Sequence, residues 1–203
     1  MEKESLVEPR KLPRQERSRA TVDAILRAGA QVLARDGYNK ASTNRIAELA
    51  GVSIGSLYQY FPNKDALVMA IAEEHSRTMV ALLAEAAGHR GESLEGAIRV
   101  FVRGMIRAHA IDPGVHRALV QQVLHLGIEA FRNQQVAARM MVQRLLEEER
   151  KHLQVANPEV TAFVLVAAVE GVIHSAVFEQ AELLANPAFE EELVRMVLRY
   201  LGI

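Results

Sequence analysis

Apolar residues recur three and four positions apart along this chain, and no stretch shows the strict two-residue alternation of a strand. Val22, Ile25, Leu26, Gly29, Val32 and Leu33 share one face of a first amphipathic helix, which Asp36-Gly37 should end because glycine supplies the left-handed residue. Ser42 is placed to cap a short second helix through Ile46, Ala47, Leu49 and Ala50, and Gly51 to stop it. A third short helix is predicted from about Ile54 to Tyr60, closed by Phe61-Pro62 since proline disfavours helix at the residue before it. Asn63 then caps a fourth that carries Leu67, Ile71, Met79, Leu82 and Leu83 on one side before Gly88.

The same period continues to the end. Leu94, Ile98, Phe101, Val102, Met105, Ile106 and His109 form one face up to a breaker at Asp112-Pro113-Gly114, and two helices are expected over about 115–126 and 129–153. Asn157-Pro158 and Asn186-Pro187 each set a capping side chain before a proline suited to the first helical position, marking two last helices. The fold class is all-α, with about nine helices. Residues 1–16, polar and carrying Pro9 and Pro13, read as a flexible basic arm, residues 17–77 as a first domain and 78–203 as a second.

Composition narrows the chemistry. The chain has 203 residues and no cysteine, which removes thiolate metal sites, cysteine nucleophiles and disulfides together. The start Met1-Glu2-Lys3-Glu4-Ser5 lacks a basic, apolar leader, so a cytoplasmic location is expected. The most lipid-like stretch, Val160 to Phe178, contains Glu170 and His174 and lacks flanking Lys or Arg, which argues against a span. A net charge of −1 conceals an asymmetry: residues 1–64 hold eleven Lys/Arg against seven Asp/Glu, and the remainder thirteen against eighteen. A basic end on an acidic body fits a polyanion-binding module joined to something else.

Two short helices about a glycine turn form a helix-turn-helix pattern over residues 41–60, in which the second helix can enter a DNA major groove. Spacing alone is a weak signal, and the side chains strengthen it. Ser53, Gly55 and Ser56 are small or hydroxylic where a backbone would approach DNA, and Tyr58, Gln59 and Tyr60 follow them. Phenols can donate to phosphates, and glutamine can read the edge of adenine. The competing reading packs Tyr58 and Tyr60 on the core with only their hydroxyls wetted. Lys64 adds a cation at the start of the next helix.

The stretch from Ala28-Gly29-Ala30 through Gly37-Tyr38, followed by Ser42-Thr43-Asn44-Arg45-Ile46-Ala47-Glu48-Leu49-Ala50-Gly51-Val52-Ser53 and Leu57-Tyr58-Gln59-Tyr60-Phe61-Pro62-Asn63-Lys64, closely resembles the TetR family of bacterial transcriptional repressors. The likeness covers residues from about 17 to 77, and the rest resembles the family in helical layout. It implies a three-helix DNA-binding domain, a dimerising C-terminal domain that encloses a small-molecule effector, and release from an operator when the effector binds. On this basis Thr43, Tyr58, Tyr60 and Lys64 are expected at phosphates, and Asn44, Arg45, Gly55, Ser56 and Gln59 at or near bases. Asn44 occupies a position that is often Arg in such proteins, and Arg45 can take over part of that reading.

The helix after Pro158 is apolar nearly all round and must be covered on every side. Val166, Val169, Ile173 and Ala176, with Leu193 and Val197 of the last helix, are the expected homodimer interface, a four-helix seam across a two-fold axis. A dimer would set two recognition helices about 34–36 Å apart and read a palindrome. Phe101, Met105, His109, His116, Gln121, His125, Glu170 and His174 are candidate pocket residues for a hydrophobic or amphiphilic effector. No cofactor and no catalysis are expected, because the histidines at 109, 116 and 125 match no compact helical ligand set. Two rival functions remain, a metal-responsive DNA-binding regulator and a helical interaction module that binds no DNA.

Overall fold

The computed structural model describes residues 16–88, 93–122, 129–153 and 155–203, and every regular element among them is helical. The α-helices are α1 (Glu16–Lys40), α2 (Thr43–Leu49), α3 (Ile54–Tyr60), α4 (Lys64–Gly88) and α5 (Leu94–Ala110). They continue as α6 (Pro113–Val120), α7 (Glu129–Glu148), α8 (Pro158–Glu179) and α9 (Pro187–Leu201), with 3-10 turns at Arg150–His152 and Ala181–Ala185.

Local chemistry sets most of the boundaries. Ser42, Ser53, Ser93, Asn157 and Asn186 each stand just outside a helix, with the side-chain oxygen accepting a first-turn backbone N–H. Asn63 does the same for Ala66 at 2.8 Å. Such caps are worth about 0.5–2 kcal/mol each. Gly37 does break the helical backbone, with φ 72 and ψ 169, but the helix resumes past this kink to Lys40. Asp112-Pro113-Gly114 begins a helix instead of merely ending one, since a proline at the first position gives up no hydrogen bond that the helix needs. The helix expected over 115–126 is described only to Val120, and that expected to 153 gives way after Glu148 to a 3-10 turn.

The chain divides into two compact units. The first comprises the described residues through His75 and the segment beginning at Gly114, and the second Ser76–Pro113 with Glu129–Ile203. The division falls inside α4, two residues before the expected boundary, and it returns the α6 segment to the first unit. Glycine permits that return. A Cβ on Gly114 would lie 3.0 Å from the Cβ of Ala34 and 3.4 Å from its Cα, so α6 approaches the backbone of α1 where a side chain would intrude. The first unit's core is Ile25, Val32, Leu33, Ile46, Leu57, Phe61 and Leu67, all at most 2% exposed.

The second unit packs α5 against α8 and α9, and α7 against α8. Its core runs through Val102, Met105, Val169, Ile173, Val177, Val194 and Leu201. Helix α8 is long and apolar enough, by length and composition, to cross a membrane. Its side bearing Ala162, Leu165, Val166, Val169, Ile173, Ala176 and Val177 is nevertheless buried in the protein, as in the central helix of a folded domain.

Candidate nucleic-acid interface

Helix α3 offers almost all of itself to solvent. Of its seven residues only Leu57 is buried, which pins the helix in the first unit while Gly55, Tyr58 and Gln59 stay exposed and Ser56 and Tyr60 half-exposed. Gly51 makes the turn between α2 and α3 at φ 68, and a Cβ there would touch nothing within 4 Å, so the demand for glycine is conformational. A Cβ on Gly55 would meet only Ser53 Oγ, at 3.9 Å, which leaves that stretch of backbone open to close approach.

Hydrogen bonds hold this surface in place. The Ser53 hydroxyl accepts from Ser56 N at 3.0 Å and lies 2.8 Å from the Ser56 hydroxyl. Thr43 and Tyr58 join their hydroxyls at 3.0 Å, tying α2 to α3 across the face both present. Residues Gly51-Val52-Ser53-Ile54-Gly55 have the spacing of a hydrolase nucleophile elbow, which requires a strand before the serine. Here a helix precedes it, and the hydroxyl serves as a cap.

The flanking charges are also anchored. Arg45 pairs with Asp36 at 3.0 Å, and Arg35 shares the same carboxylate at 3.2 Å. Lys64 donates to the Tyr38 carbonyl at 2.9 Å and stands 3.9 Å from the centre of the Tyr38 ring. The Tyr38 hydroxyl in turn donates to Asp65. Burial, then the bond to Asp65 and that carboxylate's charge, push the Tyr38 phenol up to about 12. Asp36, Tyr38 and Asp65 were not singled out from the sequence. Only the position of Tyr38 after a helix-breaking glycine and of Asp65 after Lys64 hinted at them.

Among the described residues of the second unit, openings flank α8 on both sides. Between α5, α7, α8 and α9 lies a cavity of about 70 Å³ whose lining, including Ile98, Phe101, Leu145, Leu165 and Leu201, is apolar throughout. Between α7 and α8 lies a groove of about 250 Å³ with Gln135, Arg139, Phe163, Glu170 and His174 around it. Glu170 is buried, and that burial raises its carboxyl, against the lowering effect of the Gln135 amide donating at 2.8 Å and of the Arg139 charge. Burial likewise lowers His174.

The family described as bacterial regulatory proteins, tetR family, matches residues 25–71, and the tetracyclin repressor-like C-terminal domain matches 93–201. The chain belongs to the TetR family. Among curated TetR-like relatives, the nucleoid occlusion factor SlmA of Glaesserella parasuis is 30% identical over 89 residues, 44% of this chain and 43% of its own length. The HTH-type transcriptional repressor AcnR of Corynebacterium jeikeium is 35% identical over 79 residues, 39% of each chain. The chain spans less than half the length of these two relatives. A TetR-like transcriptional regulator of Rhodococcus sp. RHA1 has the same fold, with a TM-score of 0.71 at 24% identity over 95% of this chain and 99% of that one.

Within this TetR fold, Thr43, Asn44, Arg45, Ser53, Gly55, Ser56, Tyr58, Gln59, Tyr60 and Lys64 all belong to the first unit and none of them is buried. The pocket candidates fall in both units. Phe101 lines the apolar cavity, Glu170 and His174 line the groove, and the ring of His109 lies 5.2 Å from that of His174. Met105 is core. His116 sits in the other unit, its Nδ1 3.0 Å from Nε2 of His75, and Gln121 is exposed there. His125 lies outside the described residues.

The expected dimer residues land on the wrong side of their helices for a partner to reach. Val166, Val169, Ile173, Ala176, Leu193 and Val197 are at most 6% exposed, sealed within their own chain. Helix α8 is apolar on both sides, and sequence periodicity could not tell which side α5 and α7 would cover.

Proposed function

We propose that this protein is a DNA-binding transcriptional regulator of the repressing kind, working in the cytoplasm as a homodimer on a palindromic operator and released by a small effector. The carrying observation is α3, whose Tyr58 and Gln59 stay exposed around a single buried leucine. Exposed phenol and amide groups on a pinned helix suit a major groove, with Gln59 reading base edges while Thr43, Tyr58, Tyr60 and Lys64 hold phosphates. Asn44, Arg45, Ser53, Gly55 and Ser56 line the same approach. The naming of AcnR as a repressor supports the sign of regulation.

The dimer face is the outer stripe of α8, Val164, Ala168, Val172 and Ser175, with Met196 and Tyr200 of α9. Val164, Val172, Met196 and Tyr200 are 37% to 50% exposed, an apolar surface on two helices that a second copy would cover. A Cβ on Gly171 would touch nothing within this chain, which fits a close helix crossing there. The effector, hydrophobic or amphiphilic, binds in the second unit, where both openings lie.

Footprinting on genomic fragments, with affinity measured against salt, tests the reading. Two symmetric half-sites and a steep loss of affinity as salt rises are expected, because each neutralised phosphate releases counterions. A single asymmetric site would overturn the dimer reading, and a flat salt response would favour a helical module that does not bind DNA.

A further inference from the structure

The two openings beside α8 differ in what they can hold. The apolar cavity, at about 70 Å³, is lined by apolar side chains and offers no polar side chain to fix a headgroup. The groove is larger, at about 250 Å³. Its polar groups come from both helices and lie beside an apolar wall of Phe163, Val166 and Ala167.

We propose that the groove between α7 and α8 is the effector site and that it takes a small organic acid, its carboxylate on Arg139 and its apolar body along Phe163, Val166 and Ala167. This rests on the regulator reading and names the chemistry of its effector.

The charge balance selects the acid. Arg139 is half-buried and directs its guanidinium over the Phe163 ring at 5.4 Å, so the face of that aromatic wall already holds a cation. Its Nε donates to the Gln135 carbonyl at 3.2 Å, which fixes the side chain and leaves the two terminal nitrogens to grip a carboxylate. Among the described residues that line the groove, Glu170 is the one acidic group. One of its oxygens accepts from Gln135 at 2.8 Å, and its burial favours the neutral carboxyl, as burial also favours neutral His174. Arg139 is the cation of the lining, and an organic anion on its terminal nitrogens pairs that charge beside the apolar wall. An amine would leave a net positive charge even with Glu170 ionised, and partly buried charge is tolerated only when paired.

The site borders the dimer face and shares Gly171 with it. Phe163, Ala167, Glu170 and His174 follow one another at spacings of four, three and four along the edge of α8 that faces α7, whereas Val164, Ala168, Val172 and Ser175 form the neighbouring stripe.

Calorimetric titration of the full chain with hexanoate, hexanamide and hexylamine tests the proposal, three probes alike in size and different in charge. Hexanoate should bind with a dissociation constant of about 0.1–1 mM, typical of so small a ligand, and the amide and amine at least about tenfold more weakly. Arg139→Gln should weaken hexanoate about tenfold or more, Arg139→Lys less because it keeps the charge without the fork, and Glu170→Gln, close in shape to the neutral carboxyl, should not weaken it. Equal or tighter binding of the amine, no binding of hexanoate, or indifference to Arg139→Gln would overturn the site. The wild-type probe series needs no variant to fold.

Hexanoate should also release operator DNA. Binding without release would overturn the effector assignment. A Gln59→Ala variant that binds DNA as tightly as wild type would instead strike the DNA reading and leave the calorimetry untouched.

Discussion

Helices α3 and α8 both leave much of their surface uncovered, for opposite reasons. Helix α3 exposes polar groups around one buried leucine, and those groups are positioned by hydrogen bonds to near neighbours, Ser53 to Ser56 and Tyr58 to Thr43. Helix α8 exposes apolar side chains such as Val164 and Val172, while Glu170 is buried and His174 half-buried. Exposed polar groups on a fixed frame point to a polar ligand. Exposed apolar groups beside a buried carboxyl point to a protein partner and, next to it, a small-molecule site. The contrast separates two kinds of recognition within one chain.

The largest effect expected is on assembly. Val172→Glu puts a charge on the outer stripe of α8 without entering the core, and should convert a dimer to a monomer by sedimentation. Operator affinity should fall about 10²–10⁴-fold as the second half-site becomes an independent encounter. An unchanged mass would return the search for the interface to another face.

Next in size, Gln59→Ala should cost about 1–3 kcal/mol of operator binding, the range for a bidentate base contact, with binding to unrelated DNA unaffected. Competition binding with operator and scrambled duplexes reads this directly. An equal loss on both would make Gln59 a backbone contact.

Two glycines sharpen the comparison through stability. Gly51→Ala forces an L side chain into φ 68 and should cost about 1–2 kcal/mol in chemical denaturation. Gly171→Ala occupies space empty within the chain and should add about 0.5–1 kcal/mol of helix stability while weakening the dimer. If Gly171→Ala left dimerisation intact, the close helix crossing would be refuted.

The smallest effect is the pH dependence of the second unit. His174, lowered by burial, is neutral when folded but protonated when unfolded just below its ordinary range, so it removes stability as pH falls through about 6.5. Glu170, raised by burial, acts oppositely, holding a proton in the folded state above its ordinary range and adding stability as pH falls. Each slope is at most about 1.4 kcal/mol per pH unit. Glu170→Gln should therefore steepen the loss of thermal stability on acidification below about 6.5, and an unsteepened profile would show that the carboxyl is not held protonated in the fold.

The helix, turn and helix of the candidate DNA face were legible because their signals are local. Ser42, Ser53 and Gly51 cap or turn the backbone within three or four residues, so the sequence shows the helix, the turn and the next helix directly. Arg45 and Lys64 were legible as cations, but the partners that hold them, Asp36 and Tyr38, stand 9 and 26 residues earlier in the chain. The side of α8 that faces outward was not legible at all. Its valines and alanines on the two sides are chemically alike, so every stripe satisfies the helical period equally well.

By itself the sequence determined an all-α chain, the placement of its caps and turns, and a short polar helix fit for DNA, because periodicity, capping and left-handed glycines act over one or two turns of backbone. Tertiary structure alone decided that Val166, Val169 and Ile173 turn inward while Val164 and Val172 stay outside. It also brought Arg139, Phe163 and Glu170 around one groove and returned the α6 segment to the first unit. Those outcomes follow from which helices pack side by side, a choice made by shape and volume over many residues that no local pattern encodes.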